Sequence, residues 1–128
     1  MDVNEAYEGF LRVRLSSSDG EYRGGLIPGY TLLRLMADCA SEVGIALDGM
    51  DGFLARWESV DFLEPVYAGD WIEVRARLVK KGHRSRTMSC EVHLVVRGDR
   101  REDAKPHVLE EPVVVARGQL VGVAPANP

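Results

Sequence analysis

The sequence predicts an α+β fold in which one antiparallel sheet curves around a single long helix. Three observations carry that reading. Apolar residues recur at intervals of three and four over one stretch only, Pro28 to Leu47. Runs with a period of two stand before and after it, as half-buried strands do. No internal repeat, low-complexity tract or Gly/Ser linker divides the 128 residues, so residues 1–128 are expected to form one domain.

The elements follow in order. Gly9 to Leu15 reads as a first strand, with Phe10, Val13 and Leu15 set among Arg12 and Arg14, and the turn Ser17 to Gly20 ends it. In the helix, Leu32, Leu35, Met36, Cys39, Ala40, Val43, Ala46 and Leu47 make the apolar stripe. Pro28 suits its first position, where an N–H would have no partner, and Gly49 suits the left-handed C-terminal position. Alternation then resumes from Leu54 to Leu63, from Trp71 to Leu78, from Thr87 to Val96 and from Val113 to Val123, the last with Gly118 and Gly122 inside it. One helix and five antiparallel strands bury their apolar faces most economically as a sheet wrapped around the helix, the hotdog architecture. Such a sheet commonly continues across a second copy, so a homo-oligomer built from dimers is expected.

Composition narrows the function. With 45% hydrophobic and 28% charged residues the chain is a globular domain large enough to need no disulfide or structural metal. Sixteen Lys and Arg against 20 Asp and Glu give a net charge of -4, which disfavours a general nucleic-acid or anionic-membrane binder. Apolar runs stay far below the roughly 18 residues that span a bilayer, and the acidic start MDVNEAYEGF is no signal peptide, so a cytoplasmic protein is expected. Cys39 and Cys90 are isolated and read as small apolar core residues. His83, His93 and His107 form no metal-binding or catalytic pattern, and each reads as a surface or loop residue.

Asp38 and Glu42 stand at i and i+4, on one flank of the helix about a turn apart. Glu42 falls roughly 20° from Leu35, at the edge of the apolar stripe, which predicts partial desolvation. Burial and a neighbouring carboxylate both disfavour ionisation and bring a carboxyl toward general acid or base work near neutral pH. The same spacing also suits two solvated residues on a helix face. Tyr22-Arg23-Gly24-Gly25-Leu26-Ile27-Pro28-Gly29 runs straight into the helix start. Its glycines let the backbone approach a ligand, and the unpaired first-turn amides could hold an enolate or oxyanion; an ordinary Gly-rich turn is the alternative. Lys80, Lys81, Arg84 and Arg86 flank Gly82 in a dense basic cluster, a seat for a phosphorylated carrier or else solvated turn charges. Trp57 and Trp71 could wall an acyl pocket or simply fill the core.

The stretch Asp61-Phe62-Leu63-Glu64-Pro65-Val66-Tyr67-Ala68-Gly69-Asp70-Trp71-Ile72-Glu73, with Gly82, Ser85 and Arg86 after it, resembles the hotdog 3-aminoacyl-CoA ammonia lyases that act on 3-aminobutyryl-CoA and beta-alanyl-CoA. Val108-Leu109-Glu110-Glu111-Pro112-Val113-Val114-Val115 resembles them too, and Ala37-Asp38-Cys39-Ala40-Ser41-Glu42 is similar to their Gly-Asp-x-x-Thr-Glu helix motif. The resemblance spans Glu21 to Val123. It implies reversible elimination of ammonia from a 3-aminoacyl-CoA, with Glu42 as general base and Asp38 holding the ammonium or orienting Glu42. Tyr22, Gly24, Gly29 and Tyr30 would lie at the substrate, and Lys81, Arg84, Ser85 and Arg86 at the carrier phosphates. The thioester would be carried by coenzyme A or an acyl carrier protein, with no metal or other cofactor. Where those lyases show His-Tyr-x-Gly-Asn and Asp-Gly-Ala-Arg, this chain has Glu21-Tyr22-Arg23-Gly24-Gly25 and Pro28-Gly29-Tyr30-Thr31, the pattern of a homologue turned to another acyl chain, to an acyl carrier protein or to a different amine. An acyl-thioester thioesterase, whose helix carboxylate activates water, and a non-catalytic thioester binder are the competing readings.

Overall fold

The computed structural model describes residues 3–98 and 105–126. Its elements are β1 (Glu8–Arg14), α1 (Gly29–Asp48), β2 (Phe53–Phe62), β3 (Trp71–Lys81), β4 (Ser85–Arg97) and β5 (His107–Val123), with short 3-10 turns at Ser17–Asp19 and Arg23–Gly25. The strands form one antiparallel sheet in the order β1-β3-β4-β5-β2. Strands β3, β4 and β5 follow one another as neighbours, while β1 and β2, joined in sequence through α1, take the two opposite edges. That connection lays the helix across one face, against β1, β3 and β4.

The core lies between them. Leu32, Leu35, Met36, Cys39, Ala40 and Val43 of α1 meet Ile72, Val74, Ala76 and Leu78 of β3 and Met88, Cys90, Val92 and Leu94 of β4, all buried. Every second residue of β3 and β4 thus faces the helix, as their period of two requires. Both cysteines are free and buried in this layer, with Cys39 Sγ directed at the Val74 carbonyl and Cys90 Sγ at that of Met36. The helix ends as the glycine signal requires: Gly49 adopts φ 82° and donates its N–H to Ile45 O at 2.8 Å.

Three sequence expectations are corrected. Pro28 precedes the helix rather than opening it, because its ψ of 150° is extended. Strand β2 is exposed along nearly its whole length instead of half-buried, since α1 packs mainly against β1, β3 and β4. Strand β5 begins at His107, six residues before Val113, and runs through Pro112. Its pairing with β4 is irregular between Leu94 and Val96, which is where a strand proline is tolerated.

One motif proves to be architectural. Asp70 is fully buried and accepts hydrogen bonds from Tyr67 N–H at 2.9 Å and Gly98 N–H at 2.7 Å. A Cβ on Gly98 would stand 2.7 Å from the Gly69 carbonyl, so the two loops touch backbone to backbone. The preceding residues dock the segment before the helix: Ile27 N–H donates to Val66 O at 2.9 Å and Ala68 N–H to Gly25 O at 2.9 Å. No helix among the described residues is long and apolar enough to cross a membrane.

Candidate active site

The helix presents the acidic pair on the flank nearest β1. Glu42 is half-buried, at the margin of the apolar stripe. Its Oε1 accepts the Phe10 N–H at 3.0 Å and its Oε2 accepts the hydroxyl of Tyr7. Because β1 is an edge strand, Phe10 has an N–H pointing off the sheet, and Glu42 takes it. Sequence reasoning missed Tyr7: the contact joins residues 35 apart, and the acidic N-terminal segment carries no local pattern that signals it. Accepting that hydrogen bond, Glu42 raises the phenol above its ordinary range, with burial and the carboxylate charge adding to the effect. Asp38, one turn earlier, is exposed and pairs with Arg34 at 3.2 Å. Arg34 also reaches Asp19 at 3.8 Å, tying this flank to the turn after β1.

The glycine-rich segment brings the expected substrate residues to the helix start. Gly24 and Gly25 both adopt left-handed φ, 76° and 82°, which turns the chain from Tyr22 back toward α1. Tyr22 and Tyr30 then meet edge to face, with ring centroids 6.2 Å apart. Gly29 lies under the Phe62 ring, where a Cβ would come within 3.1 Å. It opens an apolar cleft of about 330 Å³ lined by Leu26, Ile27, Leu32, Phe62, Leu63 and Pro65.

Two further cavities follow α1 along its β2 side. One of about 110 Å³ lies between Ala37, Ser41 and Gly44 of the helix and Leu54, Met88 and Leu120 of the sheet. The other, about 450 Å³, is lined by Asp48, Met50, His83, Arg84 and Arg86 with the chain after β5. Asp38 and Glu42 line none of these three, so the acidic pair and the cavities occupy different flanks of the helix.

The basic cluster divides. Arg84 donates from Nε to Ala124 O at 3.1 Å and faces the larger cavity, while Ser85 is exposed beside it. Lys81 points elsewhere, to Glu5 at 3.5 Å. Arg86 departs from the expectation of a phosphate ligand. Its side chain is 8% exposed, and its Nη2 and Nε grip Asp48 at 2.8 and 3.0 Å, while Nη1 donates to Gly82 O and Ser85 O. Alternation along β4 turns this residue to the inner face, and the C-terminal turn of α1 supplies its counter-charge. Of the tryptophans, Trp71 fills neither pocket nor core, while Trp57 packs half-buried against the core. Trp71 lies on the outer face of the sheet between the guanidinium groups of Arg12 and Arg14, and Trp57 rests its ring on Gly118. Of the histidines, His83 and His107 are exposed, and His93 is half-buried beside Glu91 at 3.2 Å. Among the described residues no group of three or more His, Cys, Asp or Glu side chains gathers as a metal site.

Comparison with known proteins places this geometry. The thioesterase superfamily pattern matches residues 25–99, from the glycine turn through the end of β4. The 3-aminobutyryl-CoA ammonia lyase of Acetoanaerobium sticklandii is 39% identical over 119 residues, 91% of this chain and 94% of that one. The chain belongs to the ammonia-lyase branch of the thioesterase superfamily. Within that superfamily the fold repeats in beta-alanyl-CoA:ammonia lyase from Clostridium propionicum, with a TM-score of 0.86 at 23% identity over 92% of this chain and 85% of that one. It repeats also in an acyl-CoA hydrolase from Staphylococcus aureus solved with butyryl coenzyme A and coenzyme A, with a TM-score of 0.76 at 19% identity over 91% and 65% of the two chains. A hexameric thioesterase from Yersinia pestis gives 0.74 at 22% identity over 91% and 86%.

Proposed function

We propose that this chain catalyses the reversible elimination of ammonia from a 3-aminoacyl-CoA, giving the 2,3-enoyl thioester. The 39% identity to a 3-aminobutyryl-CoA ammonia lyase, over 94% of that enzyme, carries the reading. The acidic pair on α1 supplies residues suited to the chemistry. Glu42 takes the α proton, the electron pair forms the Cα–Cβ double bond, and the Cβ–N bond breaks to release ammonia. A thioester α proton is weakly acidic, so the base must be positioned and the enolate oxygen must be stabilised. First-turn amides of α1 near Gly29 and Tyr30, backed by the helix dipole, suit that oxygen, with Tyr22 and Gly24 shaping the approach to it; they stand about 18–20 Å along the helix from Glu42, so a site using both takes the amides from one copy of the chain and the base from another. Asp38 holds the ammonium group. The cavity lined by Arg84 suits the carrier phosphates, with Ser85 exposed next to Arg84 and Arg86 as the buried support behind it, while Lys81 is engaged with Glu5 away from it.

The reaction requires no metal, flavin or nicotinamide. Coenzyme A is the carrier in the names of the relatives, and an acyl carrier protein would present the same thioester and phosphopantetheine chemistry. Fold relatives described as hexameric, together with the exposed edge β2, support self-association, which we read as a homo-oligomer built from dimers; the cytoplasm is the compartment we propose for it.

The test is to incubate the protein with crotonyl-CoA and ammonium, following enoyl absorbance and free thiol, alongside Glu42→Gln. Loss of enoyl absorbance without thiol release, at least a hundredfold slower in the variant, is the expected result. Thiol release would make the protein a thioesterase instead, a reading favoured by its fold relatives that hydrolyse acyl-CoA. An unchanged Glu42→Gln rate would remove Glu42 as the base.

A further inference from the structure

We propose that Tyr7 is a positioning residue for Glu42, its hydroxyl fixing the carboxylate in the plane from which the α proton is taken; this rests on the reading of Glu42 as the base. Glutamate at a helix surface has three rotatable bonds, and one hydrogen bond from Phe10 N–H anchors only Oε1. The phenol supplies the second anchor, on Oε2. Two donors from one segment, the turn before β1 and the third residue of β1, thus define both oxygens.

The segment carrying Tyr7 is itself held at several points. Tyr7 N–H closes a turn on Asn4 O at 3.3 Å. Glu5 meets Lys81 at the end of β3 at 3.5 Å, and Glu8 meets Arg75 in the middle of β3 at 3.2 Å. Lys81, expected from the sequence at the carrier, is therefore placed where it steadies the turn that brings the phenol to the base. The Tyr7 ring is 40% exposed and Glu42 half-buried, so the contact orients the carboxylate without sealing it. Glu42 keeps the proton on the phenol, first by accepting its hydrogen bond and also by its carboxylate charge, so Tyr7 stays a donor through the neutral range.

The experiment compares wild type, Tyr7→Phe and Glu42→Gln in crotonyl-CoA amination and in tyrosine titration by phenolate absorbance. For Tyr7→Phe, kcat is expected to fall about tenfold with KM within twofold, because the hydrogen bond orients a reacting group rather than binding substrate. For Glu42→Gln, catalysis is lost and one of the four tyrosines ionises at lower pH than in wild type, the phenol having lost its carboxylate acceptor. Wild-type kcat in Tyr7→Phe, with Glu42→Gln inactive, overturns the role of Tyr7 and leaves Glu42 as base. Full activity in Glu42→Gln overturns the reading of the base and the proposal with it. Should Tyr7→Phe fail to fold, the titration decides: a tyrosine profile unmoved by Glu42→Gln sinks the proposal.

Discussion

Arg86 shows how a basic residue at a family position can serve the scaffold. Its guanidinium is almost wholly buried, and the bonds to Asp48, Gly82 O and Ser85 O tie the C-terminal turn of α1 to the β3–β4 turn. Removing one member of a buried pair strands the other charge, so Asp48→Ala is expected to cost about 3–5 kcal/mol in urea unfolding. Replacing both, as Asp48→Ala with Arg86→Met, should restore most of that loss, since the pair's attraction mainly offsets its own desolvation. A double variant no more stable than the single one would show that the backbone bonds of Arg86, rather than its charge pairing, hold the turn. The cysteines make the opposite case of chemical silence. Burial pushes the thiols of Cys39 and Cys90 up to about 12, so neither forms thiolate in the folded protein near neutral pH. Native protein at pH 8 should resist iodoacetamide, and unfolded protein should react at both sites. At this scale the sequence was partly legible: the spacing of Asp38 and Glu42 placed them on one flank, and Arg34 is the i,i+4 neighbour of Asp38 on the same helix, but Tyr7 reaches Glu42 only through three-dimensional packing.

At the scale of elements, the approach of β1 to α1 depends on a missing side chain. A Cβ on Gly9 would stand 2.5 Å from the Cys39 carbonyl oxygen and 3.2 Å from Cys39 Sγ and Val43 Cγ2. Gly9→Ala must therefore push the edge strand off the helix, an overpacking change expected to cost about 1–3 kcal/mol. Phe10 is the next residue, so its N–H withdraws from Glu42 in the same movement. Activity should accordingly fall further in Gly9→Ala than in an equally destabilised variant remote from β1; equal losses would separate the strand's placement from catalysis. The helix was legible because an amphipathic period and a terminal glycine are local signals. The beginning of β5 was not, because Pro112 and the surrounding charges look like a loop until β4 is seen pairing across the irregularity. Tyr67-Ala68-Gly69-Asp70 could be noticed as a motif, yet its work of pinning two loops through buried carboxylate bonds depends on Gly98, 28 residues away.

At the scale of the whole molecule, the sheet ends on an edge that one chain leaves uncovered. Phe53 is 74% and Phe62 50% exposed, with Leu54 and Leu63 also open, and β2 offers backbone groups with no strand beyond them. Alternation along β2 predicted burial of one face, and the missing cover is what a second copy would supply. Long apolar edges otherwise invite indiscriminate pairing, which specific association prevents. The protein is expected to sediment above its 14.2 kDa chain mass, and its melting temperature to rise with concentration, because association stabilises by mass action. Phe53→Asp combined with Leu54→Lys should shift it toward monomer and remove the concentration dependence. Both residues also border the 110 Å³ cavity, which the edge helps to close. If that cavity receives the acyl chain, the double variant loses turnover together with association. If it turns over normally as a monomer, the 110 Å³ cavity is not the acyl site, and the substrate binds elsewhere within a single chain.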